Sequence, residues 1–419
     1  MVRTRVSNGQ GLFGIVLLPL FAWALSERRR AVPWRTVLTA LLLQVTLALL
    51  LLHLTVMQTA FLAVSQAVAA LQTATRAGTQ FVFGYIGGGM APFATVEPAA
   101  GFVFAFQALP VVLLISAVSR VLFHWRVLPA VVRGFAWLLG RTLGVGGAVG
   151  VSTAANVFLG MVEAPLLVRP YLKDLSRGEL FMVMTGGMAT IAGSVFVLYA
   201  TLLAPVLAGA AGHLLAASLI NAPGAILMAA LLVPPGDGRT AGGEVRADDE
   251  AESTMGALAR GTADGVALLI NIAAMLIVLV ACVSLVNQLL ALLPTGGPPI
   301  SLQRLLGWPM APVAWLLGVP WSEAATAGSL LATKTVLNEL IAYADLAALP
   351  ADALSPRSRL ILVYALCGFA NFGSLGIMIG GLGTMLPERR AEIAGLGLRA
   401  ILSGTFATCL GGAIVGVVA

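Results

Sequence analysis

Ser152–Pro165 reads STAANVFLGMVEAP and Ala332–Tyr343 reads ATKTVLNELIAY, and the fold turns on these two stretches. Each sets a carboxylate, Glu163 or Glu339, inside a segment that otherwise has the composition of membrane. A charge at bilayer depth costs roughly 3 kcal/mol on insertion scales, so it persists there only where it has a task. The two stretches read as halves of one small-molecule site.

The surrounding composition supports a membrane setting. Only 10% of the 419 residues are charged, against about 25% in a soluble domain. Apolar residues make up 59% and mean hydropathy is +0.97, too high for a soluble core. The 47 glycines suit helices that pack closely or break in lipid. The net charge of +6 is carried by arginine and reads as positive-inside loops, not as a nucleic-acid surface.

Working outward, Gly11–Leu25 is an apolar run with no cleavage site before Ser26, so it reads as an uncleaved span. Arg28, Arg29, Arg30 and Arg35 follow it, against Arg3 and Arg5 before it. That excess predicts a periplasmic N-terminus and a cytoplasmic first loop. Thr36–Val56 returns. Met57–Gln80 carries Gln58-Thr59, Ser65-Gln66, Gln72-Thr73 and Thr79-Gln80, a polar stripe for an interfacial helix, a subunit contact or a buried face. Gly101–Leu122 is a span kinked at Pro110, and Val127–Leu143 is amphipathic and peripheral.

Val149–Leu172 is interrupted by Asn156, Gly160, Glu163 and Pro165 and predicts a re-entrant hairpin. Gly178–Leu203 crosses but contains TGGMATIAGS, a string poor in helix formers. His213–Val233 is a span, and the acidic stretch Pro234–Thr254 a solvated loop. Val266–Leu293 crosses, Thr295–Pro299 turns, and Ser301–Leu317 connects. Ala324–Leu349 is a second interrupted hairpin, Arg359–Leu386 holds GFANFGS at its middle, and Glu392–Ala419 is the last span. Arg399 in that span reads as a structural partner or a snorkelling side chain.

The halves repeat. Glu163 precedes Ser194 by 31 positions and Glu339 precedes Asn371 by 32 (194 − 163 and 371 − 339). Each unit is hairpin, interrupted helix, plain helix. Broken helices free backbone N–H and C=O groups where there is no water, and those groups must meet a substrate, an ion or a side chain. Paired repeats of this kind point to a secondary transporter with its site near the midplane. The expected fold is an all-α polytopic membrane protein with about eight transmembrane helices, two re-entrant helical hairpins and two broken helices in a repeated arrangement. The expected division is 1–145 as scaffold helices with an interfacial helix and 146–235 as the first repeat. It continues with 236–320 as acidic loop, scaffold span and connector, and 321–419 as the second repeat.

Five strings in order carry a resemblance. They are ANVFLGMVEAPLLVRPYL with GGMATIAGSV, ATKTVLNELIAY, ALCGFANFGSLGI, the Pro387-Glu388-Arg389-Arg390 turn and Gly397-Leu398-Arg399-Ala400. Over most of its length the chain resembles the concentrative nucleoside transporters. The resemblance implies a homotrimer of eight-span subunits in the inner membrane, a fixed scaffold and a mobile domain that carries a nucleoside with a sodium ion. It implies that Glu339, Asn371 and Ser374 bind ribose hydroxyls and that Phe369 packs on the ligand. The base would be gripped near Met161, Val162, Glu163 and Val195. Sodium would be held by the Asn156 and Thr190 side chains and the backbone carbonyls of Leu159 and Ile191.

One departure bears on specificity. The family carries Gly-Gln-Thr-Glu or Gly-Gln-Ser-Glu at the first tip, and here Gly160-Met161-Val162-Glu163 stands there. A thioether and a methyl pair replace an amide and a hydroxyl, which implies relaxed or shifted base preference. A proton-coupled symporter of the same fold, for nucleosides or modified nucleosides, is the alternative; Glu163 or Glu339 would then titrate. Lys334, five residues before Glu339, is a candidate ion-pair partner for it. A membrane enzyme would need an acid–base or nucleophile constellation. His53, His124 and His213 are scattered, and Cys282, Cys367 and Cys409 sit in apolar runs without CxxC spacing, so no catalytic or metalloenzyme pattern emerges. A passive channel suits paired broken helices less well than alternating access.

Overall fold

A computed structural model describes residues 9–93, 101–236, 240, 253–293 and 300–419. Arg3, Arg5, the 295–299 turn and all six acids of the acidic stretch lie outside the described residues, which contain no strand. The chain opens with α1 (Gly9–Ala24), α2 (Trp34–His53) and α3 (Thr55–Phe83). Pro110 divides the next crossing into α4 (Phe104–Gln107) and α5 (Val111–His124), and α6 (Val127–Leu143) follows.

The first hairpin is α7 (Gly147–Asn156), a tip, then α8 (Glu163–Leu166) and α9 (Arg169–Leu172). Pro165 and Pro170 remove N–H donors and hold the return arm to two single turns. The first broken helix is α10 (Arg177–Ala189) and α11 (Gly193–Leu203), and α12 (Ala210–Leu232) completes the unit. A long α13 (Thr254–Ala291) and α14 (Leu302–Leu316) lead to the second hairpin, α15 (Trp321–Val336) and α16 (Glu339–Ala348). The second broken helix is α17 (Pro356–Leu366) and α18 (Phe372–Met385), and α19 (Arg390–Val418) ends the chain.

Six stretches are long and apolar enough to cross a membrane: α2, α4–α5, α10–α11, α12, α13 and the stretch ending in α19. The further crossings expected from the sequence correspond to the 16-residue α1 and the α17–α18 pair. Helix starts follow their caps. Ser176 and Glu179 close a reciprocal capping box on α10, with Ser176 Oγ accepting the Glu179 N–H at 3.2 Å. Ser253 caps α13, which therefore begins twelve residues before the expected Val266.

Burial sorts the helices. α10 and α12 are buried over nearly their whole surface, and α19 packs on α10, α12 and α17. α1 lies along α19, and α2 along α12. α13 pairs with α5 but is exposed over most of its apolar surface. On α3 the polar stripe divides: Gln58, Thr59, Gln66 and Thr73 are exposed, while Gln72 donates to Thr201 Oγ1 at 2.7 Å. At one end of the bundle Glu27 accepts from both Arg177 and Arg399, and Glu392 pairs with Arg177 and Arg389. Arg399 is thus a structural partner that fastens α19 to the α1–α2 turn.

Candidate functional site

The two broken helices cross at their breaks. α10 stops because Thr190 takes extended backbone (φ −121°, ψ 169°), and α17 stops at Leu366. The Phe369 N–H donates to the Thr190 carbonyl at 3.3 Å, joining one break to the other. Gly368 permits this approach. A Cβ there would stand 2.8 Å from the Met188 carbonyl oxygen and 3.0 Å from the Ala189 carbonyl carbon, closer than real side chains come.

A polar cluster forms beside the crossing. Glu339 is 4% exposed, and its Oε1 accepts the Tyr199 hydroxyl at 2.6 Å while Oε2 accepts Asn371 Nδ2 at 2.9 Å. Asn338 caps α16 by accepting the Ile341 N–H at 2.9 Å, which puts Glu339 in the first helical turn. There the positive end of the helix dipole favours a carboxylate. Asn371 caps α18 in the same way, accepting the Ser374 N–H at 2.7 Å. Tyr199 packs against Tyr343 (centroids 5.3 Å apart), whose hydroxyl donates to the Val363 carbonyl at 2.9 Å. Both carboxylate oxygens are therefore held by side chains from two other elements, α11 and the α17–α18 break.

The first hairpin offers a different chemistry. Asn156 is 1% exposed, yet neither its Oδ1 nor its Nδ2 has a hydrogen-bond partner. Thr190 Oγ1 donates to the carbonyls of Asn156 and Gly186 at 3.1 and 3.0 Å. Ser152, Thr153 and Thr185 are buried nearby on α7 and α10 with unpartnered hydroxyls. Such a group costs about 1–3 kcal/mol when nothing meets it. An amide oxygen, a hydroxyl and carbonyls at two helix C-termini make a donor set suited to a hard monovalent cation. Ile191 is buried at the break and Leu159 is half-buried at the tip. A cavity of about 250 Å³ borders this tip and break, lined among others by Val157, Phe158, Ile191 and Phe196.

The remaining expected residues divide. Met161 is buried against Gly187, and Val162 packs on Gly381 of α18. Val195 is buried on α11, and Phe369 is half-buried at the crossing. Glu163 departs from expectation: it is exposed, its carboxylate folds back over Gly160, and it does not join the Glu339 cluster. The reason is local. The first tip runs over six residues (157–162), and Val162 gives α8 no side-chain cap, whereas Asn338 fixes Glu339 after a two-residue tip. The expected Lys334–Glu339 ion pair is also absent among the described residues; Lys334 Nζ donates to Thr408 Oγ1 at 3.3 Å instead. The chain reverses at Leu337–Asn338 and separates the two side chains. Sequence reasoning missed Tyr199. Its signal was a phenol in the apolar string GSVFVLYATLL, four residues after Val195 and so on the same helix face.

Comparison with known proteins gives this geometry a family. Residues 213–416 match the family model described as Na+ dependent nucleoside transporter C-terminus, residues 13–86 its N-terminus, and residues 105–206 a nucleoside recognition (Gate) model. The chain is 35% identical over 410 residues to the uncharacterized transporter YutK of Bacillus subtilis, covering 97% of this chain and 98% of that one. It is 33% identical to the nucleoside permease NupC of Helicobacter pylori, covering 96% of each. The chain belongs to the concentrative nucleoside transporter family. The rat sodium/nucleoside cotransporter 1 is 34% identical over 96% of this chain and 63% of its own length. Among solved structures, CNTnw in an inward-facing substrate-bound state superposes with a TM-score of 0.90 at 35% identity, covering 98% of both chains. A CNTnw variant in an outward-facing state gives the same TM-score of 0.90. Membership makes this protein an integral membrane transporter and not an enzyme.

Proposed function

We propose that this protein imports nucleosides by symport with sodium. The observation that carries the proposal is a buried carboxylate, Glu339, held by Tyr199 and Asn371 at the crossing of two broken helices, with the unpartnered Asn156 side chain at the first break's hairpin. A carboxylate has about four acceptor positions, and the two protein donors leave about two for vicinal sugar hydroxyls. Glu339, Asn371 and Ser374 bind the ribose, and Phe369 packs on the ligand. Met161, Val162 and Val195 line the base end, with Glu163 swinging in from its exposed position at the hairpin tip. Sodium travels with the substrate, held by the Asn156 and Thr190 side chains and the Leu159 and Ile191 carbonyls.

The mobile unit comprises the two repeats, residues 146–235 and 321–419, which alternate access against a scaffold drawn from residues 1–145 and 236–320. The close pairing of α5 with α13 supports such a fixed frame. The exposed apolar surface of α13 is covered by lipid and by neighbouring subunits of a homotrimer in the inner membrane. With no amide or hydroxyl at Met161 and Val162, the base end discriminates weakly among purines and pyrimidines. Competition by a panel of nucleosides for labelled uridine uptake into proteoliposomes, with and without a sodium gradient, tests this. Inhibition by several bases and dependence on sodium support the reading. Uptake that follows a pH gradient and ignores sodium would move it to the proton-coupled alternative.

A further inference from the structure

Each repeat brings two helix C-termini together beside its break. In the first, α7 ends at Asn156 and α10 at Ala189, and the Thr190 hydroxyl ties one end to the other. In the second, α15 ends at Val336 and α17 at Leu366, and the two helices pack together. A helix C-terminus carries about half a negative charge and unpaired carbonyls, so two converging ends in an apolar bundle favour a cation.

The first repeat meets that demand with neutral oxygen donors around Asn156 and Thr190. The second places Lys334, one of two lysines in the chain, in the last turn of α15. The side chain is 1% exposed, and its only printed partner is the Thr408 hydroxyl of α19 at 3.3 Å. The ionisable groups that act on it are Cys409, Glu339 and Cys367, and Cys367 is the residue at which α17 ends. The ammonium therefore sits at the second break as the candidate ion position sits at the first. It is not the ion-pair partner of Glu339, whose two oxygens are taken by Tyr199 and Asn371. A flexible four-carbon stem carrying a compact charge suits this placement better than a planar guanidinium.

We propose that Lys334 is a tethered cation: in the second repeat its ammonium takes the place that the transported ion takes in the first, so each nucleoside travels with one free cation and not two. The inference rests on the sodium reading of the first repeat. It makes Lys334 a positioning residue that neutralises the helix ends behind Glu339.

The test compares wild type with Lys334→Ser and Lys334→Met. Sodium is titrated against labelled uridine uptake in proteoliposomes, and thermal unfolding of the purified protein is followed as sodium replaces choline. Wild type should show a hyperbolic sodium dependence, with a Hill coefficient of about 1. Lys334→Ser, which leaves an oxygen and space, should turn it sigmoidal, with half-saturating sodium raised about tenfold. Its Tm should rise about twice as steeply with log sodium, because two ions now bind the folded state. Lys334→Met, which offers neither charge nor oxygen, should lose transport at all sodium concentrations. Should Lys334→Ser fail to transport, the Tm slope decides: a doubled slope supports the proposal, and a slope equal to wild type overturns it. Unchanged hyperbolic dependence in Lys334→Ser, or normal transport by Lys334→Met, overturns the inference and leaves the sodium reading standing. Wild-type uptake and Tm that both ignore sodium would overturn the two together.

Discussion

Replacing Glu339 by Gln isolates the sugar grip from the fold. The carboxylate accepts from Tyr199 at 2.6 Å and from Asn371 at 2.9 Å. A glutamine can keep both: its oxygen faces Asn371 Nδ2, and the Tyr199 hydroxyl rotates to accept from its amide nitrogen. The fold should therefore survive, with Tm within a few degrees of wild type, about the shift that 1 kcal/mol produces in a chain of this size or smaller. The substrate side loses more. Hydrogen bonds to a charged group contribute about 1.5–3 kcal/mol and neutral ones about 0.5–1.5, so each sugar bond weakens by about 1–1.5 kcal/mol. Two such bonds amount to about 2–3 kcal/mol, a fall in kcat/KM of roughly 30- to 150-fold. Initial rates in proteoliposomes with uridine, cytidine, adenosine and guanosine measure it. The loss should be the same for all four, because all share the ribose. Unaltered rates, or a loss confined to one base, would refute the assignment of Glu339 to the sugar.

Tyr199→Phe removes one charge-assisted donor to Glu339 and leaves the ring packing on Tyr343 in place; KM should rise about tenfold for every nucleoside, read in the same uptake assay. Thr190→Val removes the hydroxyl that joins the break to the Asn156 carbonyl; half-saturating sodium should rise about tenfold, while nucleoside KM at saturating sodium stays within about twofold. Met161→Gln combined with Val162→Thr returns an amide and a hydroxyl to the first tip; the spread of KM values across bases should widen by about tenfold or more, and an unchanged spread would place base recognition elsewhere.

The long helices and the breaks were legible because their causes are local. TGGMATIAGS and GFANFGS lack helix formers, and the structure interrupts α10–α11 and α17–α18 within them. Pro110 falls where the third crossing divides. The spacing of Glu339 to Asn371 anticipated two residues that hydrogen-bond directly. What escaped depends on how elements meet. Glu163 and Glu339 look alike in sequence, but only Glu339 has an asparagine cap before it and a tyrosine from another helix above it. Lys334 and Glu339 are close in sequence, yet the turn between them sends the lysine to α19. The early start of α13 at Thr254 was readable from Ser253 as a cap, but the neighbouring acids drew that segment into a loop reading.

The central claim is that a sodium ion and a nucleoside move together through the crossing of the two breaks. Its most direct test is the time course of labelled uridine in proteoliposomes loaded without sodium and diluted into sodium at equal pH and zero membrane potential. The account predicts transient accumulation above the external concentration, abolished when a sodium ionophore dissipates the gradient. Uptake that only equilibrates, or that accumulates to the same level with choline outside, would contradict it.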